Sequence, residues 1–576
     1  MEQRRVFIAI LLSFVVLYGY QALFVPSVPP TQPRSASAVP PAAPTESPAP
    51  AADAVPPDEP QAAAVTTEVG EREIVVDTPT VQAVFTNRGA RMLRWRLKDY
   101  RDSNGNAVDL VPTDVPADQP RPFSIVADDQ GVTRRLNSAL YKVTGDADGR
   151  VDAATTSASL VFEFQDASGL RVRKEFTFEP KNYVVTFTAA VSNNAGPLRT
   201  RIAWGPGLGD AGAMAGGGSF FTGNYVQPPQ AIYYRDGEVS RVPASTLQEQ
   251  PVHEGSFRWA GVDDHYFIAA AITPGQARLE FHPLTLPVSD SRQRNLVTQT
   301  IQLSNASERL RFFIGPKQFE VLREVDQELV RAINFGMFGF LSVPLLNALK
   351  WVHTYVGNWG WSIVVLTILI NLAIAPLRHK SVVSMRKMQA LQPQLKAIQD
   401  HYAGLKVTDP ARQKMNSEIM SLYREKGVNP ASGCVPMLLT LPILFAFYSL
   451  LSQAIELRGA EFTLWIKDLS EHDPLYVTPV LMAATMFWQQ WITPTTADPA
   501  QQKIMMMMPL MFGVMFLWMP SGLVVYWFVG NLWAIGQQYF TNWLIGPPVA
   551  AGTRPPAERR LKSAGTGRTA AAERKN

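Results

Sequence analysis

Thr367 and Asn371 stand four residues apart inside the uncharged run Trp361–Leu377, so a helix places them on one face. In lipid a buried amide must be paired or must face water. The pair is therefore either hydrogen-bonded between helices or turned toward water. Tyr448, Tyr526, Asn531 and Gln537 repeat this neutral polarity in later apolar runs. None of these runs carries the paired Asp/Glu/His relay of a proton-coupled pump. Asp263-Asp264-His265 has the residue types for acid–base work, but it reads more simply as a turn with solvated acids. His253, His265 and His282 show no metal-ligand spacing, and the glycine-rich Ala203–Gly223 lacks the Gly-Lys-Ser/Thr ending of a phosphate loop and reads as a surface loop. The single cysteine, Cys434, excludes a disulfide framework and a thiolate cluster. No catalytic residue, metal or cofactor is expected.

The elements that must carry these residues are membrane spans. The chain has 576 residues, 46% hydrophobic and 18% charged, with a mean hydropathy of −0.02. That average conceals mostly uncharged runs at Val6–Phe24, Trp361–Leu377, Cys434–Leu451, Leu475–Ile492, Ile504–Met519 and Leu523–Phe540. Each approaches or reaches the length needed to cross a hydrocarbon core of about 30 Å, which excludes an ordinary soluble enzyme. Arg4 and Arg5 precede the first run, and no small-x-small site follows it, so it reads as an uncleaved signal anchor.

Charge orients the rest. Residues 26–349 hold 30 Lys+Arg against 36 Asp+Glu, the loop 378–433 holds 10 against 4, 452–474 holds 2 against 5, and 541–576 holds 7 against 2. Basic short loops stay inside, giving six spans with both termini cytoplasmic, a large outer domain, a basic inner loop and an acidic outer loop.

Pro26–Pro60, with twelve prolines, reads as an extended tether. Beyond it, period-2 alternation in Leu160–Gln165 and Lys174–Glu179, with short runs at Glu73–Asp77, Val81–Asn87, Tyr183–Ser192, Thr298–Leu303 and Arg309–Ile314, predicts a large antiparallel sandwich. Phe338–Val356 has an apolar face and reads as a helix in the outer interface, with a core helix of the sandwich as the alternative. In the inner loop, Met385, Met388, Leu391, Leu395, Ile398, Tyr402 and Leu405 predict one helix, which Pro393 should kink or shorten. After Thr408-Asp409-Pro410, Met415, Ile419, Leu422 and Tyr423 predict a second, ending near Gly427. This basic hairpin either ties two spans together or docks a ribosome, a targeting factor or anionic lipid.

Several stretches together carry a family likeness: Val356-Gly357-Asn358-Trp359-Gly360, Leu391-Gln392-Pro393, Val428-Asn429-Pro430, Leu441-Pro442-Ile443, Leu464-Trp465-Ile466-Lys467-Asp468-Leu469, Gln501-Gln502-Lys503-Ile504-Met505 and Pro520-Ser521-Gly522-Leu523-Val524-Val525-Tyr526. In these the chain resembles the YidC family of membrane protein insertases, in the Gram-negative form with a large periplasmic domain. The resemblance implies a multi-pass α-helical membrane protein with a five-helix insertase core and a periplasmic all-β supersandwich. The parts would run as signal anchor (1–25), linker (26–64), supersandwich (65–335), interfacial helix (336–358), second span (359–377), cytoplasmic hairpin (378–433), spans three to six (434–545) and basic tail (546–576).

It further implies an inner-membrane insertase and chaperone whose hydrophilic groove opens to cytoplasm and lipid, serving nascent clients alone or with the Sec translocon. Ribosome and targeting factor would meet the basic loop and tail. Thr367, Asn371, Tyr526 and Trp527 fall at groove positions. Leu441, Phe445 and Tyr448 of the third span and Met508, Phe512 and Met515 of the fifth fall on the path along which a client slides into lipid. The chain departs from the family by placing Asn371 where an arginine is expected. A helix-centre arginine costs roughly 2.5–3.5 kcal/mol on the insertion scale, so the charge matters where it is kept. Arg378 and His379 follow near the same face, about 10–12 Å toward the cytoplasm, and would supply positive potential at the groove mouth. The methionines of the fifth span suit either an adaptable client surface or ordinary packing. A polytopic transporter with a periplasmic ligand-binding domain is the alternative; it calls for repeats or midplane ionisable residues.

Overall fold

The computed structural model describes residues 64–66, 68–102, 105–113, 115, 119–208, 227–289, 292–303, 309–402, 411–428, 435–493 and 499–546. The expected first span, the tether, most of the glycine-rich loop, Cys434 and the tail beyond Gly546 lie outside them. The described residues form two compact units that divide between Ile333 and Asn334.

In the first unit, alternation does what the sequence asks of it. Along Arg171–Phe178 the even-numbered residues are buried, while the odd-numbered ones are half-buried or exposed. This strand belongs to a sheet of fourteen strands among the described residues, whose main path runs Ala64–Thr66, Ala158–Asp166, Arg171–Phe178, Val184–Asn193, Leu310–Pro316, Phe267–Ser289, Val252–Asp263, Gln230–Arg235, Glu238–Pro243. A second sheet of five holds Glu73–Asp77, Val81–Thr86 and Arg91–Arg101. The sheets meet face to face: Phe85 packs on Phe176 at 4.8 Å between centroids and Phe178 at 5.7 Å. The Trp95 indole donates to the Ile314 carbonyl at 2.8 Å. Helix α1 (Gln130–Ser138), capped by Asp129, and helix α2 (Phe319–Val325) complete the unit.

Two charged features sit where apolar residues are expected. Lys174 shares the inward register of Phe176 and Phe178 and is fully buried. Its ammonium donates to the carbonyls of Gly89 (2.7 Å), Phe123 (2.8 Å) and Ala90 (3.2 Å), and burial pushes its pKa well below the usual lysine value. The Asp263-Asp264-His265 turn is corrected by the structure: both acids are buried rather than solvated. Asp263 pairs with buried Lys317 at 3.0 Å and accepts from Gln227 at 3.1 Å. The exit of the unit is strapped to its sheet, with Arg258 on Asp326 at 2.9 Å and the Trp259 indole donating to the Glu328 carbonyl at 3.0 Å.

The second unit is helical among the described residues: α3 (Gly339–Val356), α4 (Trp359–Ala390), α5 (Gln392–His401), α6 (Ala411–Glu425), α7 (Val435–Gln453), α8 (Val477–Ile492), α9 (Pro499–Phe516) and α10 (Ser521–Ile545). Helix α4 is long and apolar enough to cross a membrane, and Thr440–Gln453 and Ile504–Phe516 are shorter apolar helices. Helix α4 continues unbroken past residue 378 to Ala390, so the expected second span and the start of the inner hairpin share one helix. Pro393 does more than kink a helix: the chain breaks at Leu391 and restarts with proline in the first turn of α5. Met388, Leu391, Leu395 and Val428 form a small buried cluster, against which Met385, Ile419, Leu422 and Tyr423 pack.

One loop, residues 458–476, organises the helix starts. The Gly357 N–H donates to the His353 carbonyl at 2.8 Å in the left-handed conformation (φ 71°) that ends α3. Asn358 then caps α4 by accepting from the Trp361 N–H at 3.0 Å, while its amide donates to the Glu461 and Phe462 carbonyls at 3.0 and 3.1 Å. A Cβ at Gly360 would collide with the Phe462 ring. Ser521 donates through both N–H and hydroxyl to the Glu471 carbonyl at 2.7 Å, and Gly522 N–H donates to Leu469 at 2.9 Å. Asp473, fully buried, accepts from Trp465 Nε1 (2.9 Å), Leu475 N–H (2.9 Å), Thr478 N–H (2.7 Å) and the Thr478 hydroxyl (2.8 Å). Burial raises its pKa, but these four hydrogen bonds outweigh that and hold the carboxyl below its ordinary value.

Two substitutions test these placements. Lys174→Met keeps the volume and strands three buried carbonyls. It is expected to destabilise the first unit by roughly 3 kcal/mol, read as a lowered denaturant midpoint at unchanged m. Asp473→Ala orphans four donors and is expected to cost the second unit about 2–4 kcal/mol, read as a lowered melting temperature in detergent.

Candidate functional site

Three helices start from the same loop and run side by side. Along α4 and α10 the contacts keep one offset: Gln537 Nε2 donates to the Ala375 carbonyl at 2.9 Å, and His379 Nδ1 meets the Thr541 hydroxyl at 3.3 Å. Arg386 reaches Asn542 and the Gly546 carbonyl. Helix α8 follows α10 in the same direction, with the Asn531 amide donating to the Met482 carbonyl and the Thr485 hydroxyl, both at 3.4 Å, and Trp488 beside Tyr539 at 6.3 Å. Helix α9 returns against α8 closely enough that a Cβ on Gly513 would lie 2.8 Å from that of Ala483.

Polarity on this parallel pair is graded. Near the clamped start stand Ile363, Leu366 and Leu523, all buried. Thr367 follows, fully buried, its hydroxyl donating to the Ile363 carbonyl at 2.6 Å. Asn371, half-buried, donates to the Thr367 carbonyl at 2.8 Å. Both bonds stay within α4 and do not bridge helices. Toward the far end come Arg378, His379, Ser381 and Arg386 on α4, with Gln537, Gln538, Thr541 and Asn542 on α10.

The expected groove residues divide. The Tyr526 ring stacks on Phe447 of α7 at 4.3 Å and 11°. Arg378, half-buried, lies within electrostatic range of the Tyr526 hydroxyl, and its Nη1 is buried with no hydrogen-bond partner among the described residues. Trp527 turns to another face, against Phe516 at 5.0 Å and Phe512 at 6.0 Å, and so joins α9 rather than the Thr367–Asn371 side. On α7, Phe445 is 45% exposed and stacks on Phe338, while Leu441 and Tyr448 are half-buried. On α9, Met508 is 42% exposed, and Phe512 and Met515 are half-buried. Helix α7 packs on α3, α4 and α10, and α9 packs on α8; among the described residues α7 and α9 share no packing of that extent. Thr541, Asn542 and Arg386 lie beyond the uncharged runs that end at Phe540 and Leu377, whereas Gln538 lies inside the last run, next to Gln537. The i, i+4 recurrence of Gln537–Thr541 and Gln538–Asn542 was the available signal.

The surface around this bundle is apolar. Of the 33 exposed large hydrophobic residues among those described, 32 lie in the second unit, Val69 being the exception. A patch of this extent calls for a non-aqueous neighbour.

Known proteins agree with that division of solvents. Residues 73–348 match the family model of the YidC periplasmic domain, and residues 351–546 match that of the 60Kd inner membrane protein. A membrane protein insertase YidC from Oleidesulfovibrio alaskensis is 36% identical over 563 residues, covering 94% of this chain and 99% of the relative. One from Maridesulfovibrio salexigens is 34% identical over 567 residues, covering 94% and 98%. A crystal structure of an active YidC insertase with its first transmembrane domain resolved aligns over 82% of this chain and 94% of that one. At 19% identity and a TM-score of 0.32, this last likeness carries no weight beside the sequence matches. With relatives above 30% identity along nearly the full length of both partners, the chain belongs to the YidC family of membrane protein insertases.

Proposed function

We propose that this insertase moves client segments into the membrane through the graded polar face between α4 and α10. The observation that carries the reading is the contrast between the two ends of that pair. At one end the loop 458–476 satisfies the helix starts and apolar side chains fill the space; at the other, charged and amide side chains accumulate. A client's polar tail entering from the polar end would find hydrogen-bond partners part-way across, at Thr367, Asn371 and Tyr526, so less of its path crosses hydrocarbon. Arg378 supplies the positive charge, with His379 beside it at the mouth. Helical side chains lean toward the helix start, so the Arg378 guanidinium is directed back toward Asn371, where the family expects its arginine. The client's apolar segment leaves between α7 and α9, past Leu441, Phe445, Tyr448, Met508, Phe512 and Met515, gaining roughly 25 cal/mol per Å² of apolar surface removed from water.

The parallel course of α4, α8 and α10, with α7 and α9 as returns, supports a six-span topology that adds the N-terminal run. The large domain and loop 458–476 then face the periplasm, and α5, α6 and both termini face the cytoplasm. The basic hairpin and tail are the surfaces offered to a ribosome or targeting factor, and the Sec translocon is the expected partner for larger clients.

Photo-crosslinkers at Thr367, Asn371 and Tyr526 are expected to capture a nascent single-span client, whereas one at Trp527 is not. A crosslink from Trp527 alone would sink the placement of the groove. Arg378→Ala is expected to slow insertion of acidic-tailed clients by about tenfold, equivalent to about 1.4 kcal/mol, and to leave neutral tails unchanged. If Asn371→Arg speeds acidic tails while Arg378→Ala does nothing, the charge assignment is wrong.

A further inference from the structure

The face of α10 that carries Tyr526 carries Gly530, Trp533 and Gln537 at the following i+4, i+7 and i+11 positions. Leu532, Tyr539 and Trp543 are exposed on the other side of the helix. Gly530 is half-buried, yet a Cβ built on it meets nothing within 4 Å outside its own helix backbone. A helix-interior glycine is destabilising relative to alanine, and here no neighbour demands the missing side chain. The space therefore lies on the polar face, between the Tyr526–Phe447 stack and the Gln537–Ala375 bond.

Three buried polar atoms on the elements bordering that space have no hydrogen-bond partner among the described residues: Trp533 Nε1, Gln537 Oε1 and Arg378 Nη1. Trp533 and Gln537 stand on the Gly530 face, and Gln537 is bonded to Ala375, three residues before Arg378. Two donors and one acceptor complement a peptide unit, whose carbonyl accepts and whose N–H donates. A carboxylate would satisfy the two donors but leave Gln537 Oε1 facing an anion.

We propose that Gly530 is the point where a client's extended backbone lies against α10, and that its missing side chain sets the clearance for the passing tail. The ligand class is unfolded polypeptide main chain, read without regard to sequence. The inference rests on the groove reading above and adds to it a location and a size limit.

The test uses the full-length chain in proteoliposomes and a single-span client with a short polar tail, comparing Gly530→Ala, Gly530→Val, Gly530→Leu and Gly530→Phe. Gly536→Leu is the control, since Gly536 also has open space around a Cβ but is exposed on a different face. Gly530→Ala should melt no lower than the parent. Insertion should fall with each increase in side-chain size, by roughly tenfold at leucine, equivalent to about 1.4 kcal/mol. Tails of small residues should lose less than tails carrying tryptophan, a dependence that a folding defect would not produce. Gly536→Leu should insert as the parent does. Insertion by Gly530→Leu at the parental rate, while crosslinkers at Thr367 and Tyr526 still capture the client, overturns the crossing point and leaves the groove reading standing. Absence of those crosslinks in the parent overturns both.

Discussion

Helix starts leave backbone N–H groups without partners, and in a low-dielectric surrounding each such group must be satisfied. Here one loop, residues 458–476, answers for three helices at once. Its carbonyls at Glu461 and Phe462 hold the Asn358 cap, those at Leu469 and Glu471 receive Gly522 and Ser521, and the Asp473 carboxylate gathers the first turn of α8. Because these groups are a few residues apart in one loop, the helices they start are brought together and made to run in one direction. The parallel α4–α10 pair, its constant offset and the location of its polar half follow from that shared origin.

Given parallel helices closed at their starts, polarity has only the far end in which to accumulate. His379, Arg386, Gln537 and Asn542 are tolerated there because they reach one another's helices or carbonyls. Exposed apolar side chains elsewhere on the unit make lipid the natural solvent of its outer surface. The first unit exposes almost none and is built around buried aromatic rings.

Much of the architecture was legible in the sequence because it depends on period. The alternation around Phe162 and Phe176 and the uncharged runs report local geometry with solvent on a known side. The motif Val356–Gly360 was recognisable but not interpretable. Only the fold shows that Gly357 ends one helix, Asn358 begins another, and Gly360 makes room for Phe462. Trp527 illustrates the same limit: one residue along a helix is a rotation of 100°, which takes it from the face of Tyr526 to that of Phe512 and Phe516. The Asp263–His265 turn looked solvated because its partner Lys317 is more than fifty residues away.

By itself the sequence determined the partition of solvents, the sandwich-forming strands and the residue types available for a polar face, all of which are set by short-range patterns of charge and hydropathy. The tertiary structure alone decided which of those residues meet. Adjacency of Ala375 and Gln537, burial of Lys174 among three carbonyls, and the open space above Gly530 depend on how distant segments are clamped and rotated, and no local period encodes a rotation between helices.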